Sequence, residues 1–186
     1  LLLNGSPLAH PVVHTITSGD ITAGSISLTV SPGDLGLDGS KQIAAQLSDG
    51  FGNSSTTSAL IVTLDGTAPT AVATVTALSS DTGSSTSDFV TSTGSQTVSG
   101  TFTGTLGAGE TIQVSADGGT TWVTATPSGN NWSALGVTLT AGTGTLSVRT
   151  IDLAGNATAG TGHSYTLDAT APTAVATVTA LSSDTG

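Results

Sequence analysis

Residues 65–83 read DGTAPTAVATVTALSSDTG, and residues 168–186 read DATAPTAVATVTALSSDTG. The two stretches differ at a single position and are offset by 103 residues. A second pair of segments has the same offset, since LSDGFGNSST begins at Leu47 and TIDLAGNATA begins at Thr150. A period of this length is typical of a whole domain rather than of a short solenoid repeat.

The repeat divides the chain into three parts. Residues 65–167 are interpreted as one complete repeat, and residues 1–64 as the C-terminal part of a preceding, divergent repeat. Residues 168–186 are interpreted as the linker and first strand of a third repeat. The chain is therefore expected to be a section of a longer tandem array whose repeats are one another's neighbours.

The composition predicts an all-β protein. Thr and Val favour strands, whereas the abundant Ser, Gly and Asp favour turns. The strong helix formers Glu, Lys, Met and Arg are nearly absent, and Met does not occur at all. Aromatic residues are only 3% of the chain, so the core must consist mainly of aliphatic side chains.

Within the complete repeat, alternating polar and apolar residues predict seven strands, at about 70–78, 95–103, 110–116, 120–126, 132–139, 144–151 and 160–167. A turn at Asp117-Gly118 joins two of them. Seven strands in one repeat predict an immunoglobulin-like β-sandwich. The predicted core residues are Val98, Phe102, Ile112, Val114, Trp122, Trp132, Leu146, Val148 and Tyr165.

The charge of the chain excludes several classes of function. The formal net charge is −10, and Lys41 and Arg149 are the only basic residues besides three histidines. Nucleic acids and anionic lipids need clusters of Lys and Arg, so neither is expected as a partner. No apolar stretch is long enough to insert directly into a membrane. The acidity instead favours a cation as partner.

The motifs of common enzymes are missing. The sequence has no G-x-S-x-G elbow, no phosphate-binding P-loop and no G-x-G-x-x-G. The only histidines are His10, His14 and His163, and none has a recognisable catalytic partner in the sequence. The chain is therefore not expected to be an enzyme.

Four motifs occur in order along residues 65–186: LDGTAPT at the junction, SSDTGSSTSDFVT, VSADGGTTW and IDLAGNAT. Together they resemble the bacterial immunoglobulin-like repeats of giant, type I-secreted, calcium-dependent adhesins of the RTX type. Residues 1–64 share only LSDGFGN and LDGTAPT, and the opening LLLNGSPLAH resembles a strand-C hairpin. The resemblance implies an extracellular location at the bacterial cell surface and Ca²⁺ at the linkers between repeats.

Calcium prefers oxygen ligands, chiefly carboxylates and backbone carbonyls. In an immunoglobulin-like topology the acidic loop residues fall into two sets, each close to a junction between repeats. A divalent cation would offset their mutual repulsion, which the two basic residues cannot do. The predicted metal ligands are Asp81, Asp88 and Asp168 in one set and Asp65, Glu110 and Asp152 in the other.

The alternative for each of these residues is a turn-forming role without metal, because Asp readily caps the local backbone. This alternative is strongest for Asp117, which belongs to an Asp-Gly turn. Asp20, Asp34 and Asp38 lie in the divergent repeat and receive no role.

Three functions are consistent with the sequence. The first is a calcium-rigidified extender that projects a distal ligand-binding region of an adhesin for cell adhesion or biofilm formation. The second is a binding module, in which Trp122 or Trp132 contacts carbohydrate or a host protein. The third is a self-associating matrix or filament subunit, in which exposed strand edges pair between chains.

Overall fold

The computed structural model describes residues 1–179, and these form two compact units that divide after Thr67. Strands make up nearly all of the regular structure, which confirms the all-β prediction. Unit 1 begins at residue 1 and unit 2 at Ala68. Each unit has its own sheets.

Unit 1 has a four-stranded sheet in the order β2-β1-β3-β6 and a two-stranded sheet of β4 and β5. The N-terminal hairpin turns at Asn4 and Gly5, which both have positive φ, as a tight two-residue turn requires. Its elements are β1 (Leu2–Leu3), β2 (Ser6–Pro7), α1 (Ser18–Ala23), β3 (Gly39–Ala44), β4 (Gln46–Ser48), β5 (Ser54–Thr56) and β6 (Leu60–Leu64).

Helix α1 was not expected from the composition. It begins with a capping box in which Thr17 and Asp20 satisfy each other's backbone N–H groups, and it ends at Gly24 in the left-handed conformation. None of its residues is buried. No helix in residues 1–179 has the length and apolar character needed to cross a membrane.

Unit 2 is a two-sheet sandwich. One sheet has the order β11-β10-β14-β16-β8, with β15 also paired to β14, and the other has the order β12-β13-β9-β7. The strands are β7 (Val72–Leu78), β8 (Val90–Thr91), β9 (Ser95–Thr103), β10 (Thr111–Ser115), β11 (Val123–Thr124), β12 (Thr126–Ser128), β13 (Asn131–Thr138), β14 (Gly142–Ile151), β15 (Ala157–Ala159) and β16 (His163–Leu167).

The core of unit 2 lies between these two sheets. Eight of the nine predicted core residues are buried, namely Val98, Phe102, Ile112, Val114, Trp132, Leu146, Val148 and Tyr165. The prediction is wrong for Trp122, which is only half-buried because it lies on the outer side of the sheet under the guanidinium group of Arg149. Both sheets contribute to the core through alternate positions, as an aligned sandwich requires.

Most predicted strands are found, with two informative differences. Strand β9 spans residues 95–103 as predicted. The strand predicted at 120–126 is instead divided between β11 and β12, which belong to different sheets, with buried Ala125 at the crossing point. The short strands β8 and β15 were not predicted.

The pairing in unit 1 recurs in unit 2 at the offset found in the sequence. In β3 and β6, Gly39 pairs with Leu64, and in β14 and β16 the corresponding Gly142 pairs with Leu167. All five residue pairs between β3 and β6 recur in this way. The hairpin β1–β2 adjoins β3 as β10–β11 adjoins β14, which agrees with the expected strand-C hairpin.

Residues 168–179 follow β16 without forming a strand, although the sequence predicts the first strand of a third repeat here. Val175 and Val178 are 91% and 84% exposed. The remainder of this predicted segment, residues 180–186, lies outside the described residues.

Candidate functional site

The loop between β7 and β8 holds two of the predicted calcium ligands. One oxygen of Asp81, Oδ2, accepts a hydrogen bond from the Phe89 backbone N–H at 2.9 Å. The other oxygen, Oδ1, is buried and has no hydrogen-bond partner among the described residues. Asp88 is exposed, and its Oδ1 accepts from the Val90 backbone N–H at 3.1 Å. Asp81 therefore has an unsatisfied acceptor inside a folded loop, which is costly without a partner.

Gln96 holds this loop in place and was missed in the sequence. Its side-chain Nε2 donates to the carbonyl oxygens of Ser80 at 2.9 Å and Thr93 at 2.7 Å. Its Oε1 accepts from the backbone N–H of Ser80 at 2.9 Å and the hydroxyl of Ser79 at 3.1 Å. The alternation of β9 could have identified Gln96 as inward-facing, because it lies two residues before buried Val98.

Asp168 lies against the same loop. Its backbone N–H donates to the Thr91 carbonyl at 2.9 Å, and the Thr91 hydroxyl donates to the Ser80 carbonyl at 2.6 Å. The Asp168 carboxylate accepts from the Thr170 backbone N–H at 2.9 Å. The structure therefore places Asp168 at the same end of unit 2 as Asp81, as the topology argument predicts.

Glu110 and Asp152 lie at the ends of two paired strands elsewhere in unit 2. They directly adjoin Thr111 and Ile151, which are paired across β10 and β14. Their loops are also in close contact, since a Cβ on Gly109 would lie 2.7 Å from Leu153 Cδ1. The Glu110 carboxylate accepts from the Gly107 backbone N–H at 2.9 Å.

Asp152 forms a local turn with Asn156. Its Oδ1 accepts from the backbone N–H groups of Gly155 at 2.8 Å and Asn156 at 2.9 Å, and its Oδ2 accepts from Asn156 Nδ2 at 2.9 Å. The Asn156 side chain is the main reason that the pKa of Asp152 lies below its ordinary value. Unit 1 has the same turn, in which Asp49 accepts from the backbone and side chain of Asn53. The turn-forming role is thus observed for Asp152.

The same role is observed for Asp117, the weakest metal candidate. It accepts from the hydroxyls of Thr121 and Ser115 and from the backbone N–H groups of Thr120 and Thr121. These bonds, with the Thr121 side chain first, lower the pKa of Asp117 to about 2. Asp117 needs no metal for its position.

Within either unit, the described residues gather no group of three or more His, Asp or Glu side chains suited to one metal ion. Calcium also accepts backbone carbonyl oxygens as ligands, so a calcium site does not require three carboxylates close together. The assignment of Asp65, Asp81, Asp88, Glu110, Asp152 and Asp168 as calcium ligands remains a prediction.

The three acidic residues without a predicted role in unit 1 each have a definite partner. Asp20 caps α1 and accepts from His14 Nε2 at 2.9 Å. Asp34 is buried and lies 2.6 Å from His10 Nδ1. Asp38 accepts from two residues of the linker, Gly66 and Thr67. The partners of Asp20 are local, whereas those of Asp34 and Asp38 are 24 to 29 positions away, and no local pattern in the sequence marks these two.

The two tryptophans occupy different environments. Trp132 is 2% exposed and donates its Nε1–H to the Thr101 carbonyl at 3.0 Å, so it belongs to the core. Trp122 is half-buried, with the Arg149 guanidinium carbon 3.9 Å from its ring centroid. Arg149 also donates twice to Gln113 Oε1, at 3.0 and 2.8 Å. The covered ring face of Trp122 is therefore a poor platform for stacking a sugar.

The remaining histidine, His163, stacks on buried Phe89 with ring centroids 3.7 Å apart. Its Nδ1 lies 2.7 Å from the carbonyl of Ser164, which leaves this nitrogen occupied by backbone.

Comparison with known proteins agrees with this architecture. The sequence profile of a family described as "Bacterial Ig-like domain" matches residues 67–169, which is more than half of the chain. No curated protein matches the sequence significantly. Domains of this family are typically non-enzymatic. With its two-sheet sandwich of ten strands and a family match that covers all of them, the chain belongs to the bacterial immunoglobulin-like domain family.

Proposed function

We propose that the chain is part of a tandem array of immunoglobulin-like repeats that acts as a calcium-rigidified extender of a large bacterial surface adhesin. The array projects a distal ligand-binding region for cell adhesion or biofilm formation. Domains of the family are usually extracellular or surface-associated, which supports this location. The acidic surface keeps such a long array soluble and favours cations over anionic partners.

The observation that carries the proposal is that the same pairing of strands occurs twice along the chain. The pairs between β3 and β6 recur between β14 and β16, and the pair Leu47–Ser55 recurs as Thr150–Thr158. Both copies are followed by nearly the same linker sequence. A spacer can be copied without loss of function, whereas a specific binding site need occur only once in the protein.

The calcium component rests on charge and on Asp81. Lys41 and Arg149 cannot offset twelve acidic residues, and Arg149 is engaged with Trp122 and Gln113. The buried, unpartnered Oδ1 of Asp81 suits a hard cation. Bound calcium would neutralise the carboxylates around it. Asp81 with Asp88 and Asp168, and Glu110 with Asp152, are the side chains of unit 2 that would hold it, and Asp65 is the candidate in unit 1.

Thermal unfolding tests this proposal. We expect the melting temperature to rise in millimolar calcium relative to excess chelator, with little effect of magnesium, because binding to the folded state alone stabilises it. Asp81→Asn should reduce the calcium-dependent rise. Asp117→Asn is the matched control, since its loss of stability should be equal with calcium and with chelator. Identical melting temperatures in all three solutions would remove calcium from the proposed function.

The partial exposure of Trp122 favours a carbohydrate- or protein-binding module instead. A groove of about 410 Å³ adjoins it, lined also by Arg149, Ser147 and Gly160. Binding to a panel of immobilised glycans that is lost in Trp122→Ala and kept in Trp122→Phe would support this second function.

A further inference from the structure

The linker after β6 is held by a carboxylate from the loop that precedes β3. Asp38 Oδ1 accepts from the Gly66 backbone N–H at 2.8 Å, and Asp38 Oδ2 accepts from the Thr67 hydroxyl at 2.5 Å. Both oxygens of one side chain therefore bind two consecutive linker residues that lie 28 and 29 positions further along the chain. Such long-range bonds order backbone that local turns alone would leave free to rotate.

We propose that Asp38 is a metal-independent clamp for the linker, and that the residue at its position in each repeat decides whether the following linker is held or free. This inference rests on the proposed extender function, because it assigns the stiffness of each linker to an identifiable residue. It is distinct from calcium binding, since the clamp uses only hydrogen bonds within unit 1.

The clamp is missing from unit 2, where β14 and β16 repeat the pairing of β3 and β6. The position that corresponds to Asp38 at the offset of 103 residues is Ala141. The backbone agrees at the next residue, because Gly39 and Gly142 both have positive φ, of 122° and 87°. Each of these glycines also pairs with the last residue of its partner strand, Gly39 with Leu64 of β6 and Gly142 with Leu167 of β16. At position 141 the second copy has the methyl group of alanine in place of the Asp38 carboxylate.

The donors that the clamp would use are still present after β16. Thr170 corresponds to Thr67, and Ala169 supplies the backbone N–H that corresponds to Gly66. The local turn is also conserved between the copies, since Asp65 accepts from the Thr67 N–H at 3.2 Å and Asp168 from the Thr170 N–H at 2.9 Å.

The change from Gly66 to Ala169 does not account for the difference. A Cβ placed on Gly66 would lie 3.5 Å from Asp38 Oδ1, which is an ordinary van der Waals contact. An alanine in the linker is therefore compatible with the clamp. Under this proposal, the alanine at position 141 is the reason that the linker after β16 lacks the clamp that holds the linker after β6.

The clamp should respond to acid. The Thr67 hydroxyl, the Gly66 N–H and the charge of Lys41 hold the pKa of Asp38 below its ordinary value. Lys41 on β3 is a charged group that acts on Asp38, and Asp65 directly precedes the bonded residue Gly66 in the chain. A lowered pKa means that the clamp is intact above the ordinary value for Asp. It should be lost only as the pH falls through the lowered value.

Backbone order parameters from NMR relaxation test the clamp in the complete chain with chelator present. In the wild type we expect about 0.85 for Gly66 and Thr67, and below about 0.6 in Asp38→Ala. Asp38→Asn keeps an acceptor for the Gly66 N–H, so it should retain most of the order at neutral pH and lose the acid response. Lys41→Gln is the control that leaves both clamp bonds in place.

The gain-of-function variant is Ala141→Asp, which should raise the order parameters of Ala169 and Thr170 over those of the wild type. Core amide signals of β9 and β14 show in every variant that the fold is intact. Unchanged values at Gly66 and Thr67 in Asp38→Ala would overturn the proposal, as would an unchanged linker in Ala141→Asp. Order that appears only with calcium would also overturn it, because Asp38 would then be a metal ligand. A failed calcium response in thermal unfolding leaves the clamp unaffected.

Discussion

At the scale of single residues, polar side chains fix the loops of unit 2. Gln96 is 2% exposed and bonds to both backbone atoms of Ser80, and so it ties the loop after β7 to the start of β9. Thr91, also 2% exposed, donates its hydroxyl to the same Ser80 carbonyl. Because Asp81 directly follows Ser80, this network sets the position of the buried carboxylate oxygen.

We expect Gln96→Ala to destabilise the protein by about 2–3 kcal/mol, because buried donors and acceptors of the loop would lose their partners. Gln113→Ala is the matched control. Gln113 is half-buried on β10, and its side-chain Oε1 accepts from the partly exposed Arg149, so its loss should cost less than about 1 kcal/mol. Urea unfolding followed by tryptophan fluorescence measures both. Equal losses for the two variants would show that the Ser80 network does not hold the loop.

The acidic residues show which hydrogen bonds could be predicted from the sequence and which could not. The turn between Asp152 and Asn156 follows from local spacing and from its copy at Asp49 and Asn53, so a repeat alone identifies it. The bonds of Asp38 to Gly66 and Thr67 join residues 28 and 29 positions apart in the chain. Their formation depends on how the loop before β3 meets the end of β6, which no local pattern encodes.

At the scale of elements, the same five-residue sequence forms a strand at one place in the chain and no strand at another. Residues 72–76 form part of β7, whereas the same five residue types at 175–179 form no strand. In β7 the backbone pairs with β9, as Val75 does with Gly100, and also bonds to Thr161, which lies between β15 and β16. Residues 175–179 have no such pairing among the described residues. Strand structure in this segment is therefore determined by pairing partners rather than by intrinsic propensity.

Strands with long alternation were predictable, and short ones were not. Strand β9 has nine residues with alternate side chains inward, and its predicted bounds are confirmed. Strand β8 has two residues and depends on parallel pairing with β16. Two residues are too few to show any periodicity, so β8 becomes visible only when the partner strand is in place.

The close contact between β9 and β13 requires glycine at position 100, because any side chain there would collide with its neighbours. A Cβ on Gly100 would lie 1.9 Å from the Thr74 carbonyl oxygen and 2.5 Å from Trp132 Cζ2. We expect Gly100→Ala to destabilise the protein by about 3 kcal/mol, because backbone and a buried ring would both have to move. Gly94→Ala is the control, since its Cβ would have only an ordinary contact of 3.5 Å with Leu167. Thermal unfolding distinguishes them, and a stable Gly100→Ala would contradict the packing argument.

At the scale of the whole molecule, the two units differ in how much apolar surface they bury. The hydrophobic core cluster lies entirely in unit 2, whereas Leu8 is the only buried hydrophobic residue in unit 1. Unit 1 leaves Phe51, Leu37 and Val13 more than 85% exposed. A unit of fewer than 70 residues with so small a core is expected to be marginally stable.

We therefore expect unit 1 to unfold before unit 2. Both tryptophans, Trp122 and Trp132, belong to unit 2, so their fluorescence reports on that unit alone, while far-UV circular dichroism reports on strands of both. The circular dichroism signal should begin to change at a lower urea concentration than the fluorescence, which is the signature of a transition with more than two states. Hydrogen exchange provides an independent measurement, in which amides of β3 and β6 should exchange faster than those of β9 and β14. Coincident transitions and uniform exchange would mean that the chain unfolds as one cooperative body. The stability of unit 1 would then have to come from interactions beyond its own sparse core.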